Sequence, residues 1–134
     1  MSPYLVAYVG TLIAMLLCDL VWLSTVGTWV YRPRIGSLLL ERPILWAAGL
    51  FYLTYVAGVV VFAVAPALRS DSWLRALALG ALFGAFAYAT YDLTNLSTLR
   101  GWSGLVTVID IAWGAVLSGV AATAGYLLAH RAMG

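Results

Sequence analysis

Asp19, Asp92 and Asp110 stand inside long apolar runs of a 134-residue sequence. Acids are uncommon in such settings, because an aspartate at the centre of a membrane helix costs about 2.5–3.5 kcal/mol on insertion scales. Each of the three has aromatic company at helical spacing. Asp19-Leu-Val-Trp22 is echoed by Asp110-Ile-Ala-Trp113. An i,i+3 step places acid and indole on one face of a helix. Gly80, Gly84, Tyr88, Asp92 and Asn95 follow one another at steps of four, four, four and three, which makes a single stripe with Tyr91 and Thr94 beside it. Phe51, Tyr52 and Tyr55 form a further aromatic group. Carboxylates ringed by indoles and phenols suit an organic cation or a protonatable amphiphile, since the ring faces attract positive charge.

Composition says what must position these side chains. Hydrophobic residues make up 64% of the chain and charged residues 9%, with a mean hydropathy of +1.00. A soluble domain carries about 25% charged residues, and a chain this short cannot hide so much apolar surface from water. A soluble enzyme, a disordered tail and a nucleic-acid module are therefore excluded, and the lipid bilayer is the expected partner. The net charge of +2 is too small to imply an anionic polymer such as nucleic acid. A single cysteine, Cys18, excludes an internal disulfide and any multi-cysteine metal site. With one histidine, His130, the chain offers too few ligands for zinc or haem, so no metal or cofactor is expected.

A spanning helix needs about 20 mostly apolar residues. Residues 4–24, 44–65, 73–96 and 105–129 qualify, with Pro66 expected to end the second. The fold class is all-α: a polytopic membrane protein with four transmembrane helices bundled into a single domain over residues 1–134. The first run has no basic residue before it and carries Asp19 and Trp22, so it does not read as a signal peptide. The stretch 25–43 mixes apolar residues with Arg32, Arg34, Glu41 and Arg42. That pattern fits either a segment lying in the membrane interface or a continuation of helix one to Tyr31.

Let side A be the face with both termini and side B the other. Tyr4, Trp73 and Tyr126 fall toward A, and Trp29, Trp46 and Trp102 toward B, as aromatic belts do. Arginines divide four to three between B and A and leave the orientation open. Helices one and three reach Asp19 and Asp92 shortly before side B, and helix four meets Asp110 shortly after leaving it. At 1.5 Å per residue all three acids sit roughly 6–8 Å inside that boundary. Acids from three helices at one level are expected to face the bundle interior or a wet cavity. Like charges in a dry site repel, so at least one should carry a proton near neutral pH unless Arg32, Arg34 or Arg100 pairs with it.

Plainer readings stand beside this one. Buried polar groups can serve only to hold helices together, at around 0.6–2 kcal/mol per hydrogen bond in membranes. Gly80-xxx-Gly84 and Gly114 read first as helix packing, with dimerisation second. His130 reads as a solvated terminal residue and Cys18 as packing. The Asp-x-x-Trp echo joins helices one and four, whereas an inverted repeat would match one with three, so it does not read as a repeat.

These residues carry a resemblance that covers nearly the whole chain. Its pieces are Asp19-Leu-Val-Trp22-Leu23, Phe51-Tyr52-Leu-Thr-Tyr55 with Gly58, and Phe62-Ala-Val-Ala-Pro66-Ala-Leu68. The most specific is Gly80-Ala-Leu-Phe-Gly84 followed by Tyr88-Ala-Thr-Tyr91-Asp92-Leu-Thr-Asn95, and Gly101-Trp102 and Asp110-Ile-Ala-Trp113-Gly114 complete it. The sequence resembles a bacterial membrane family catalogued as domain of unknown function 2177. The resemblance implies a four-helix protein of the bacterial inner membrane and implies no activity.

Three functions are open on these grounds. The first is a small protein that binds or transports a cationic or amphiphilic ligand, exchanging a proton at one carboxylate. Its site would be Asp19, Trp22, Tyr52, Tyr55, Tyr88, Tyr91, Asp92, Asn95, Asp110 and Trp113, and a homodimer is expected because four helices enclose little volume. The second is a non-catalytic accessory or scaffold subunit in which the polar layer only orders the bundle. A lipid-modifying enzyme ranks last, because no nucleophile, metal set or cofactor motif is evident.

Overall fold

A computed structural model describes residues 2–134. Four helices long and apolar enough to cross a membrane make up the chain: α1 (Pro3–Leu38), α2 (Leu45–Ser70), α3 (Trp73–Thr98) and α4 (Gly104–Met133). Among the described residues there is no strand. Serines start three of the helices by accepting from free backbone N–H groups: Ser2 from Tyr4 (3.3 Å), Ser72 from Arg75 (3.2 Å) and Ser103 from Val106 (3.2 Å). The tight α2–α3 turn closes on Asp71 in the left-handed region (φ 53°), a conformation aspartate tolerates better than most residues.

Two helices outrun their expected ends, and both do so in the same way. α1 does not stop near residue 24 but passes through a π turn, Gly27–Tyr31, and closes in a 3-10 turn at Gly36–Leu38. Of the two readings of the 25–43 stretch, the structure therefore has the helical continuation, and it runs past Tyr31. α2 does not end at Pro66 but passes through a π turn, Val60–Val64, and continues to Ser70. In each case a proline, Pro33 or Pro66, sits two residues beyond the π turn. Proline lacks an N–H, and its ring collides with the carbonyl four residues back. The π turn re-spaces that carbonyl: the Arg32 and Ala65 N–H groups bond five residues back, to Gly27 and Val60. The helix then accepts its proline without breaking.

The longest seam joins α3 to α4, and α1 packs along the other side of α4. Small residues make the first seam tight. A methyl at Gly80 would stand 2.7 Å from the Ser118 carbonyl oxygen, and one at Gly84 would drive into the carbonyl of Gly114. Gly80-xxx-Gly84 is thus covered by α4 of the same chain, which leaves it unavailable to a second copy. α2 meets α3 with residues 60–70, while its Leu45–Val59 half leans on α1. Met15, Val56, Val59, Val64 and Leu117 fill the centre. Trp29, Trp46, Trp73 and Tyr4 point outward as belt residues do, but Tyr126 is buried and its hydroxyl donates to Asp71 (3.4 Å).

Candidate functional site

The polar layer is built from two facing Asp-x-x-Trp motifs that serve each other. On α1, Asp19 is 8% exposed and accepts two bonds: Trp113 Nε1–H donates to Oδ1 (3.0 Å) and Tyr52 Oη–H to Oδ2 (2.6 Å). The indole that follows Asp110 on α4 thereby caps the acid on α1. The reverse link needs one more residue. Trp22 Nε1–H donates to Tyr31 Oη (3.2 Å), and Tyr31 Oη–H donates to Asp110 Oδ1 (2.8 Å). The two indoles stack face to face, 4.2 Å apart and 3° from parallel. Charge-assisted hydrogen bonds of this kind are the strong class, roughly twice a neutral pair.

Asp92 differs from the other two. It is 0% exposed, no N–H or O–H donor of another residue type reaches its oxygens, and the group beside it is the Asp110 carboxyl. The Asp110 carboxyl lies close enough to act on it electrostatically, and Tyr31 also feels its charge. No arginine supplies the missing partner. Among the described residues the one contact between an acidic and a basic side chain is His130 with Asp71 (2.5 Å), at the other end of the bundle, and both of those side chains are half or more exposed. The expected help from Arg32, Arg34 or Arg100 is therefore absent. Arg34 bonds the Val30 carbonyl instead (3.1 Å). His130 is half-exposed, as a solvated terminal residue is, and also contacts Asp71 in the α2–α3 turn.

Beside the acids lies a cleft of about 350 Å³, lined by Phe51 and Tyr55 of α2, Ala87, Tyr88 and Tyr91 of α3, and Asp110 of α4. Tyr55 crosses the gap between α2 and the rest. Its ring meets Phe83 (5.3 Å) and Tyr88 (6.0 Å) edge-on, and its hydroxyl hydrogen-bonds Ser118 Oγ (2.6 Å). Tyr88 lies over Gly114, where any side chain would collide with the ring, and it stands within reach of the charges of both Asp19 and Asp110. Tyr91 stands at the mouth, 57% exposed, with Trp102 edge-on at 5.9 Å. Asn95 is half-buried and lies beside Tyr91.

Asp19, Trp22, Tyr52 and Trp113 thus gather into one cluster, and Asp92 and Asp110 into a second, linked through the indole stack and Tyr31. Tyr55, Tyr88 and Tyr91 wall the cleft, and Asn95 stays at its edge. Two contributors, Tyr31 and Ser118, lie outside the set read from the sequence. Tyr31 stands nine residues beyond Trp22, which an unbroken α-helix places on the opposite face. The π turn inserts one extra residue and swings Tyr31 and Ile35 back beneath Trp22 and Val26. A glycine at position 27 followed by Pro33 is the signal that could have revealed it. Ser118 reads as one more small residue in a small-residue helix, and only the approach of Tyr55 singles it out.

A family model described as "Predicted membrane protein (DUF2177)" matches residues 4–127. No curated protein and no solved structure matches the chain.

Proposed function

The chain belongs to the family of predicted membrane proteins called domain of unknown function 2177, and from its own geometry we propose that it binds a small organic cation within the membrane and exchanges a proton for it, as the binding step of a transporter or receptor. The observation that carries this reading is Asp110 in the wall of an aromatic cleft, with the buried Asp92 carboxyl beside it. Three tyrosines and Phe51 offer ring faces, and Asp110 offers charge at the wall. Two adjacent carboxyls shielded from water hold a proton between them, and an arriving cation replaces it. The volume is at the low end of small-molecule sites, which run from about 300 to 1,000 Å³. The bacterial inner membrane, implied by the family resemblance, is the proposed location.

The test is binding of benzyltrimethylammonium to the purified protein across pH 6 to 9. Binding is expected to strengthen as pH rises and to be lost in Asp110→Asn and Asp92→Asn, while Asp19→Asn acts mainly on stability. Unchanged affinity in all three variants would end the proposal.

A second reading draws on Asp19. Its two donors already satisfy it, as expected of a group that only locks helices together. On that reading the chain is an accessory or scaffold subunit, and the same substitutions would lower its melting temperature or its recovery with a partner and change nothing else.

A further inference from the structure

Asp110 is held by a residue that takes no part in the cleft wall. Tyr31 of α1 donates its Oη–H to Asp110 Oδ1 (2.8 Å), and its oxygen accepts from Trp22 Nε1–H (3.2 Å). Tyr31 is not among the residues that line the cleft, so it acts on a bound cation only through Asp110. The features that put the phenol there are local. Arg32 N–H bonds the Gly27 carbonyl five residues back, and this wide turn brings Tyr31 round to the face of Trp22. The Trp22 ring stands edge-on to the phenol (6.3 Å, 77°) and is stacked in turn on Trp113 (4.2 Å). Tyr31 itself is 9% exposed and packs in one buried cluster with Ile35 and Val106.

This line of hydrogen bonds has a direction. An indole N–H can only donate, so the Tyr31 oxygen accepts from Trp22, and the one phenolic hydrogen is left for Asp110. Asp110 Oδ1 is therefore an acceptor and holds no proton on that side. Asp92 lies against the Asp110 carboxyl, is 0% exposed and receives no donor from outside the pair. Two buried carboxyls stay in contact when one of them holds a proton, because two charges would repel. The charge then belongs on the acid with the outside donor. A hydrogen bond to a charged acceptor is roughly twice as strong as a neutral one, and burial penalises an unsupported charge most. Resting on the binding reading above, we infer that Tyr31 is a positioning residue: it keeps the shared proton on Asp92 and presents Asp110 to the cleft as the charged acid. The other titratable groups near the pair are Asp19 of α1, Tyr55 of α2, and Tyr88 and Tyr91 of α3. Asp19 is already served by Tyr52 and Trp113, and among the described residues no arginine pairs with either acid. This division of labour suits an exchange. The cation meets a charged carboxylate in the wall, the O–H bond of Asp92 breaks, and its proton passes to water. One positive charge leaves for each that arrives, so the total charge of the site is unchanged.

The experiment is infrared spectroscopy of the full chain at pH 7 in dodecyl maltoside, a detergent with no carbonyl group. The signal is the C=O stretch of a protonated carboxyl, read first without any organic cation. It is expected in the unaltered protein, absent in Asp92→Asn and kept in Asp110→Asn. Adding Tyr31→Phe to Asp92→Asn should bring it back, with the protonated share of Asp110 raised roughly tenfold or more. Adding Tyr126→Phe instead, which frees Asp71 of a phenol at the far end of the bundle, should leave the spectrum as it is. A stretch that survives Asp92→Asn and goes with Asp110→Asn, or two variants that behave alike, overturns the placement of the proton. A stretch that stays absent when Tyr31→Phe joins Asp92→Asn overturns the part given to Tyr31. Benzyltrimethylammonium is then added to the unaltered protein. Loss of the stretch supports the exchange; a stretch that persists at saturating cation, with the variants behaving as expected, ends the binding reading and leaves the role of Tyr31 standing.

Discussion

Replacing Asp92 with asparagine should make the protein more stable. Asp92 is fully buried, and no donor from outside the acid pair reaches its carboxyl oxygens. Leaving a buried polar group unpaired costs about 1–3 kcal/mol, and more when it is charged. Asparagine keeps the size and turns a permanent N–H donor toward the neighbouring Asp110, a link the acid pair has only while it holds a proton. The expected gain is on the order of 1 kcal/mol at pH 8. Asp19→Asn is the control of opposite sign. Both Asp19 oxygens accept good bonds, from Tyr52 and Trp113. An amide nitrogen there faces a donor and breaks one of them, at a cost of about 1–3 kcal/mol. The two variants should therefore separate by roughly 2–4 kcal/mol. Reversible unfolding in mixed micelles, followed by circular dichroism with increasing dodecyl sulfate, measures this directly. If Asp92→Asn destabilises as much as Asp19→Asn does, both acids are structural, and the case for a functional acid at position 92 is lost. A stabilised Asp92→Asn that no longer binds cations would mark the acid as one kept for its chemistry at the expense of the fold.

Two further predictions bear on the frame around the site. Gly84→Ala places a methyl 2.7 Å from the Gly114 carbonyl carbon and 2.5 Å from Ser118 Oγ, so the α3–α4 seam must part; a loss of about 1–3 kcal/mol is expected, whereas Gly49→Ala, with nothing within 4 Å, should be neutral or slightly stabilising, and comparing the two by thermal unfolding checks the seam. Trp113→Phe removes the donor to Asp19 Oδ1 and part of the stack on Trp22, and should cost about 1–3 kcal/mol. Combining Trp113→Phe with Asp19→Asn should cost less than the two single losses added together, because the singles remove one shared bond; an additive double variant would refute the pairing.

The helical bundle and the shared level of the acids were open to a reader of the sequence, because both follow from counting. Twenty apolar residues make a span whatever surrounds them, and a rise of 1.5 Å per residue sets the depth of Asp19, Asp92 and Asp110 before any helix has a neighbour. The division of labour among the acids was not legible. All three are aspartates in apolar helices, yet Asp19 is satisfied, Asp110 lines a cleft and Asp92 has only the Asp110 carboxyl beside it. The arginines looked like the natural partners by charge, but the phenols and indoles took that part, because they sit at the right depth on neighbouring helices.

What the residues determined alone was local and periodic: which segments cross the membrane, which face of α3 is small, and which depth is polar. What the tertiary structure decided was rotation and approach. A single extra residue in the Gly27–Tyr31 π turn brings Tyr31 round to Asp110, and the tilt of α2 away from α3 opens the cleft. Rotation and tilt come from contacts between segments far apart in the chain. Helical periodicity, which repeats only along one segment, has no means of encoding them.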